Sequence, residues 1–407
     1  MKRRSFLLGA AAGLAALNIP LARAFPNGSK RKLVVFFNNG GWDPTYAFDP
    51  HFSESGIDTD NNGYIDEADG LSFIAADTRP AVSKYFKEYA SITSILNGVE
   101  VPSISHNTCI RLAFTGKRTP DASDLPSLVA ARDSTEILLP HMVLSGPRFP
   151  GSLGGGLMVP LSPVLNGTVN GDLPADYDAN SSAEDAIRNY LSDEYQNFAP
   201  NRQKVAELQA QHSKRHSFPE KTPFRLSVGY PIEEQIDNLI EALKDDLCTT
   251  ATLECQLPDL VVWDSHAENH MNQDLAYDAS FNQLHLLIDR LYQNTDSSGA
   301  PLIDNTTVMV LSEMGRTPKL NVMNGKDHWP YTSMMLIGAG INGGQLWGKT
   351  DSSFIGQPVD PITGELSSTG SRLLTGAIHA GFLQSIGIDP SESFPNTMPF
   401  EAPFKTS

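Results

Sequence analysis

The sequence predicts an α/β fold: a mostly parallel sheet flanked by helices and carrying insertions. Two short runs, Leu33–Phe37 and Thr306–Leu311, are apolar or β-branched at every position, as strands buried on both faces are. Segments with one-faced helical spacing alternate with such runs, which is the order of a parallel βαβ sheet. Acidic side chains follow directly, Asp43 after the first run and Glu313 after the second. Sites of open α/β sheets lie beyond strand ends, so these positions are the first candidates for chemistry.

Element by element, Lys32–Phe37 is the expected first strand, stopped by the turn Asn38-Asn39-Gly40-Gly41. Residues 44–72 read as an irregular insertion. Arg79–Tyr89 predicts a helix, Ala90–Leu96 a second strand, and His106–Phe114 a helix ending at Gly116. Leu138–Leu144 is a further strand candidate. Residues 146–180 are rich in Gly, Pro, Asn and Asp and predict a long surface excursion. Ser182–His212 and Pro231–Leu247 predict charged, amphipathic helices, and 146–255 as a whole reads as a partly helical insertion. The core resumes at Leu260–Val262, which leads into Asp264. A helix over Gln273–Gln293 follows, apolar at 281, 284, 287, 288 and 291 on one face. The strand Thr306–Leu311, the loop 312–328, the strand Ser333–Ile337, a Gly-rich turn at 338–344 and a helix Gly370–Ile386 complete the order. No internal repeat is visible.

The N-terminus reads Met1-Lys2-Arg3-Arg4-Ser5-Phe6-Leu7-Leu8, then an Ala-rich apolar stretch to Leu17, then Ala22-Arg23-Ala24. A basic n-region, a short h-region and a small-x-small cleavage site make residues 1–24 a signal peptide, and Arg3-Arg4-x-Phe6-Leu7 is its twin-arginine form. The apolar run is too short to span a bilayer, and Asn18 and Pro20 interrupt it. The expectation is passage through the twin-arginine export machinery to a periplasmic or extracellular location. Residues 25–407 then form one large domain with insertions. The formal net charge of the 407 residues is −17. Loss of the four basic residues among the first 24 takes it to about −21, which argues against nucleic acid or an anionic membrane as partner. No later segment reaches the length of a membrane span.

Cys248 and Cys255 bracket a short polar segment, Thr249-Thr250-Ala251-Thr252-Leu253-Glu254. In an oxidising compartment they predict a local disulfide, leaving Cys109 unpaired and buried. A Cys-x2-Cys zinc pattern is absent.

Residues 58–69 carry the spacing of an EF-hand calcium loop. Asp58, Asp60 and Asn62 stand at positions 1, 3 and 5, Gly63 at 6, Tyr64 at 7 to offer its carbonyl, Asp66 at 9 and Asp69 at 12. The residues before it are not helical in pattern. The expectation is a lone structural calcium site near Asp43.

Four clusters remain: Gly40-Gly41-Trp42-Asp43, Trp263-Asp264-Ser265-His266, Ser312-Glu313-Met314-Gly315-Arg316 and Lys326-Asp327-His328. Carboxylates and imidazoles in this pattern suit a divalent-metal site, with Asp264 and His266 at i, i+2 on one side of an extended segment. In this order the clusters resemble an exported, uncharacterised family, a domain of unknown function within the alkaline phosphatase/sulfatase superfamily. The resemblance runs from about residue 30 to about 390, weakest over 44–72 and 146–255.

The resemblance implies an alkaline-phosphatase-like fold and a two-metal site acting on phosphate or sulfate esters. Asp43, Asp264, His266, Glu313, Asp327 and His328 would be its metal ligands, and zinc, manganese or calcium its ion. Two departures stand out. Met314 holds a place where an imidazole is usual, and the nucleophile position falls on His106, with Ser105 beside it. Cys109-Ile110-Arg111 lacks the Cys-x-Pro-x-Arg pattern of a formylglycine sulfatase. Ser105 as nucleophile, with a metal-bound water as the equal alternative, His106 as ligand or acid/base and Arg316 as oxyanion clamp are the catalytic candidates. Glu313 pairing with Arg316 is the structural alternative, and His270 is a reserve ligand.

The reading is an exported metal-dependent hydrolase acting on a small-molecule or cell-surface ester. The alternative is a non-catalytic, metal-stabilised binding or assembly protein on the same fold.

Overall fold

The computed structural model describes residues 31–133, 137, 140–153, 158–160 and 231–405. The expected signal peptide, most of the excursion after residue 146 and the helix expected over Ser182–His212 lie outside them. In chain order the described elements begin with β1 (Lys32–Asn38), β2 (Tyr64–Ala68), β3 (Leu71–Ala75), α1 (Pro80–Tyr89), β4 (Thr93–Glu100), α2 (His106–Thr115) and α3 (Leu125–Asp133). There follow β5 (His141–Val143), β6 (Met158–Pro160), α4 (Ile232–Lys244), β7 (Thr250–Glu254), α5 (Asn269–Gln293) and β8 (Thr306–Ser312). The chain ends with β9 (Gly315–Arg316), β10 (His328–Trp329), β11 (Tyr331–Gly338), β12 (Gln345–Trp347) and α6 (Thr375–Ser385).

Eight strands form one sheet in the order β12-β4-β11-β8-β1-β7-β5-β6. Every pairing is parallel except those of β11 with β8 and with β4. The mostly parallel α/β sheet expected from the sequence is present. Its two faces follow from the alternation of side chains along a strand. Val34 and Phe36 of β1 face a core that takes in α1, α4 and α5. Leu33, Val35 and Phe37 face a second core with α2, α3 and α6. Every residue of β1 and β8 is buried, so neither strand shows the polar-out alternation of a half-exposed one.

Three expectations are corrected here. The polar segment between Cys248 and Cys255 is β7, in the interior of the sheet between β1 and β5. Thr-Ala-Thr-Leu-Glu looks polar but is β-branched, and its hydroxyls find partners: Thr250 reaches the carbonyls of Pro126 and Pro140, and Thr252 reaches His141. Because a strand separates them, Cys248 and Cys255 stand roughly 23 Å apart at about 3.3 Å per residue, far beyond disulfide reach. Both are free and buried, as is Cys109. Leu260–Val262 is a loop, not a strand: Leu260 is fully exposed with φ +69. Part of the insertion expected to be irregular over 44–72 is the hairpin β2–β3.

Candidate metal centre

The register of β1 on β8 pairs Asn38 with Ser312, so the two chains leave the sheet side by side. Beyond Asn38 the chain turns through Gly40 (φ +130) and Gly41 (φ +86). A Cβ on Gly40 would meet Trp263 Cβ at 2.8 Å, and one on Gly41 would meet Met314 Cγ at 2.8 Å. Glycine alone lets this turn pass under the segment that carries Asp264. The Gly40 N–H donates to both carboxylate oxygens of Glu313, at 2.9 and 3.1 Å, which ties the end of β1 to the end of β8.

Above this turn four side chains converge. They are His106 at the start of α2, Asp264 and His266 in the loop before α5, and His328 in β10. Asp264 Oδ1 lies 3.1 Å from His266 Nε2 and 3.2 Å from His328 Nε2, and Oδ2 lies 3.4 Å from His106 Nε2. The Nε2 atoms of His266 and His328 are 3.0 Å apart. His106, Asp264 and His328 each offer a ligand atom within 4.8 Å of the others.

The far side of each ring decides what these nitrogens carry. His106 Nδ1 is 2.8 Å from Glu313 Oε1, His266 Nδ1 is 2.9 Å from Asp327 Oδ1, and His328 Nδ1 is 2.7 Å from the Ile104 carbonyl. All three partners are acceptors, so all three neutral rings keep their proton on Nδ1. Their Nε2 atoms then face one another and a carboxylate, an arrangement that calls for a further proton or a metal ion among them. His106 Nε2 is buried with no hydrogen-bond partner. Imidazoles held by a carboxylate or carbonyl behind and bare in front are what a metal-ligating histidine needs. These residues therefore fit a divalent transition metal. The hydrogen bond to Glu313 raises the pKa of His106 although burial opposes it. Burial alone would raise the pKa of Asp264, but Arg316 outweighs it and holds the carboxyl below its ordinary range.

Several residues expected as ligands or catalysts have other work. Glu313 is fully buried and orients His106. Asp327 orients His266 in the same way. Asp43 is fully buried with its oxygens occupied: Oδ1 accepts from Thr45 N and Oγ1, and Oδ2 accepts from Asn269 and the Lys326 ammonium at 2.7 Å. Asp43 is thus an N-cap and a counterion. Met314 plugs a small apolar cluster with Val101, Cys109 and Leu112. Of the two-metal set implied by the resemblance, Asp43 is paired with Lys326 and Glu313 with His106. Arg316 is fully buried. It donates to the Gly40, Gly41 and Lys326 carbonyls and to Asp264 at 2.7 Å, so it braces the site and is not an exposed clamp. It pairs with Asp264, not with Glu313. Ser105 is exposed, and as N-cap of α2 its side chain makes no capping hydrogen bond. His270, the reserve ligand, bonds the Tyr46 hydroxyl and lies outside the cluster.

The loop 58–69 does not take the calcium-binding shape. From Tyr64 to Ala68 the chain runs extended, so Asp69 sits in the hairpin turn, roughly 16 Å along the strand from Tyr64 at about 3.3 Å per residue. It cannot return over an ion held by Asp58, Asp60 and Asn62. Asp58 is held by Lys319 Nζ and the Leu320 N–H, both at 2.9 Å. Asp60 is buried on Arg79, which also binds Asp274. Asp66 pairs with Lys87 at 3.2 Å. The cations that this spacing would recruit are side chains of the protein itself. The loop instead braces the ligand-bearing segment, since Lys326 Nζ also donates to the Asp58 carbonyl at 2.7 Å.

Sequence reasoning missed Lys326, although it stands inside one of the four clusters. Its position next to Asp327-His328 was the available signal.

The site and fold define an α/β protein with a histidine–carboxylate cluster at the carboxyl ends of β1 and β8. A family described as "Protein of unknown function (DUF1501)" matches residues 242–397, a span that includes Asp264, His266, Glu313 and His328. No curated protein matches. Solved structures similar to this chain include the C-terminal periplasmic domain of EcEptC from Escherichia coli. It is 10% identical over 94% of this chain and 90% of that one, with TM-score 0.42. The sulfatase PsFucS1 from Pseudoalteromonas sp. is 10% identical over 98% and 74%, with TM-score 0.40. A protein in the alkaline phosphatase superfamily from Vibrio parahaemolyticus is 10% identical over 88% and 67%, with TM-score 0.38. Among the described residues no helix is long and apolar enough to cross a membrane.

Proposed function

We propose that the protein is an exported, divalent-metal-dependent hydrolase of phosphate or sulfate esters. The observation that supports it is the set of three imidazoles, each anchored through Nδ1 and turned with Nε2 toward Asp264. His106, Asp264 and His328 would hold the ion, with His266 against them through Asp264 and His328 and zinc or manganese the best match to the donors. A bound divalent cation would polarise the ester oxygen and neutralise developing charge.

The protein's own groups supply the rest. Ser105 lies between Ile104, whose carbonyl holds His328, and His106, whose ring is held by Glu313. Its exposed hydroxyl at the N-terminus of α2 is the nucleophile candidate. The first amides of α2 carry the positive end of the helix dipole, which suits the non-bridging oxygens of a phosphate or sulfate group. Arg316 keeps Asp264 ionised and in place. The substrate class is a small-molecule or cell-surface ester, reached after twin-arginine export.

A second reading, a metal-stabilised binding protein without turnover, is favoured by one observation: Lys326 occupies Asp43, so a second ion has no acids of its own. Elemental analysis of purified protein, thermal unfolding with and without EDTA, and a panel of aryl phosphate and aryl sulfate esters test both. The hydrolase reading expects bound metal, a fall in melting temperature with EDTA, and turnover lost in Ser105→Ala. Absence of metal, together with EDTA-insensitive unfolding in both wild type and Asp264→Ala, defeats the metal centre. Metal without turnover on any ester selects the second reading.

A further inference from the structure

We propose that Glu88, His285 and Asp289 form a second divalent-cation site, of the zinc class, on the opposite stretch of α5 from the centre described above. His285 lies sixteen residues into α5, about 24 Å along the helix from Asn269 at about 1.5 Å per residue. His285 and Asp289 share a face of α5 at i, i+4, and Glu88 comes from the last turn of α1 packed against it. His285 Nε2 is 2.7 Å from Glu88 Oε2, and Nδ1 is 3.3 Å from Asp289 Oδ2. One ligand atom from each of the three lies within 4.8 Å of the others.

Three features favour a cation over a simple hydrogen bond. With a carboxylate at each of its two nitrogens, the His285 ring calls for either a second proton or a metal ion beside it. Among the described residues neither Glu88 nor Asp289 pairs with a lysine or arginine. The second oxygen of Asp289 accepts from the Tyr89 hydroxyl, the outer hydrogen bond that orients a ligand carboxylate. The His285 side chain is 90% buried, with 10% exposed, while Glu88 and Asp289 are 47% and 36% exposed. The imidazole is therefore fixed, and the solvent side is open for water to complete the coordination.

Equilibrium dialysis of the metal-stripped full chain against zinc tests this. His285→Gln should bind one zinc per chain fewer than wild type, while His328→Gln should keep that zinc. Glu88→Gln, at an exposed position, should weaken it by on the order of tenfold or more with an unchanged circular dichroism spectrum. A folded His285→Gln that binds as much zinc as wild type overturns the proposal. If His285→Gln does not fold, wild-type zinc affinity in Glu88→Gln overturns it instead.

Discussion

Lys326→Met should be among the most damaging single changes in the protein. Asp43 is 0% and Lys326 1% exposed, so their 2.7 Å ion pair is out of water. Without the ammonium, Asp43 keeps three neutral donors, Thr45 N at 3.1 Å, Thr45 Oγ1 at 2.8 Å and Asn269 Nδ2 at 3.1 Å. These satisfy hydrogen-bond geometry but do not neutralise a buried charge. Breaking one half of such a pair costs about 3–5 kcal/mol. Loss of the bond from Lys326 to the Asp58 carbonyl adds about 1 kcal/mol. Adding Asp43→Asn removes the stranded charge and leaves an amide that can still accept from Thr45. The double variant should therefore be more stable than Lys326→Met alone, by on the order of 2 kcal/mol. Urea unfolding followed by the fluorescence of buried Trp42 and Trp263 reads both. A loss under about 1 kcal/mol in Lys326→Met, or no recovery in the double variant, would refute the assignment of Asp43 as a counterion.

Acid should weaken the fold through two histidines outside the centre. Burial pushes His141 and His379 down to about 3, so both are neutral when folded. Their folded values lie below the unfolded value near 6.5, so the unfolded chain binds more protons, and stability is lost as pH falls below about 6.5. Each contributes about 1.4 kcal/mol of loss by pH 5.5, and His379→Leu should remove its share of the difference between pH 7.5 and 5.5 in urea titrations. An undiminished pH dependence in that variant counts against the argument. Gly40→Ala should cost about 2 kcal/mol or more, from the positive φ and the contact with Trp263, and should weaken metal binding by displacing Asp264. Wild-type stability there would mean the turn relaxes freely. Under non-reducing conditions all three cysteines should titrate with Ellman's reagent after unfolding, and a single reactive thiol would restore the disulfide.

The parts of this fold legible in the sequence are those whose apolar period is unbroken. β1 and β8 are buried on both faces, and α5 presents a steady stripe, so each announces itself. β7 does not, because threonine hydroxyls disguise a buried strand until the carbonyls of Pro126 and Pro140 are seen to meet one of them. Leu260–Val262 errs the other way, three apolar residues in an exposed turn. The centre divides similarly. That Asp264, His266 and His328 meet was legible because their clusters keep short spacings. The contact of His106 with Glu313 was not, since it joins residues 207 apart. The loop 58–69 shows the limit of a spacing rule, because local oxygens bind whichever cation the tertiary fold delivers, here Arg79 and Lys319.

Charge balance at the ends of β1 and β8 argues for one ion at this centre. Four carboxylates meet there: Asp43, Asp264, Glu313 and Asp327. Two permanent cations answer them, Lys326 on Asp43 and Arg316 on Asp264. Counted as neutral rings, the three histidines add none. Two negative charges then remain, one carboxylate behind each of two imidazoles, which the single divalent ion of the proposed centre would offset. A second ion would have to displace Lys326 from a fully buried partner and also lose the hydrogen bond from His106 to Glu313. Lys326 and Arg316 thus answer Asp43 and Asp264 from within the chain, and the charge left over lies at the histidine cluster, where the proposed ion would sit.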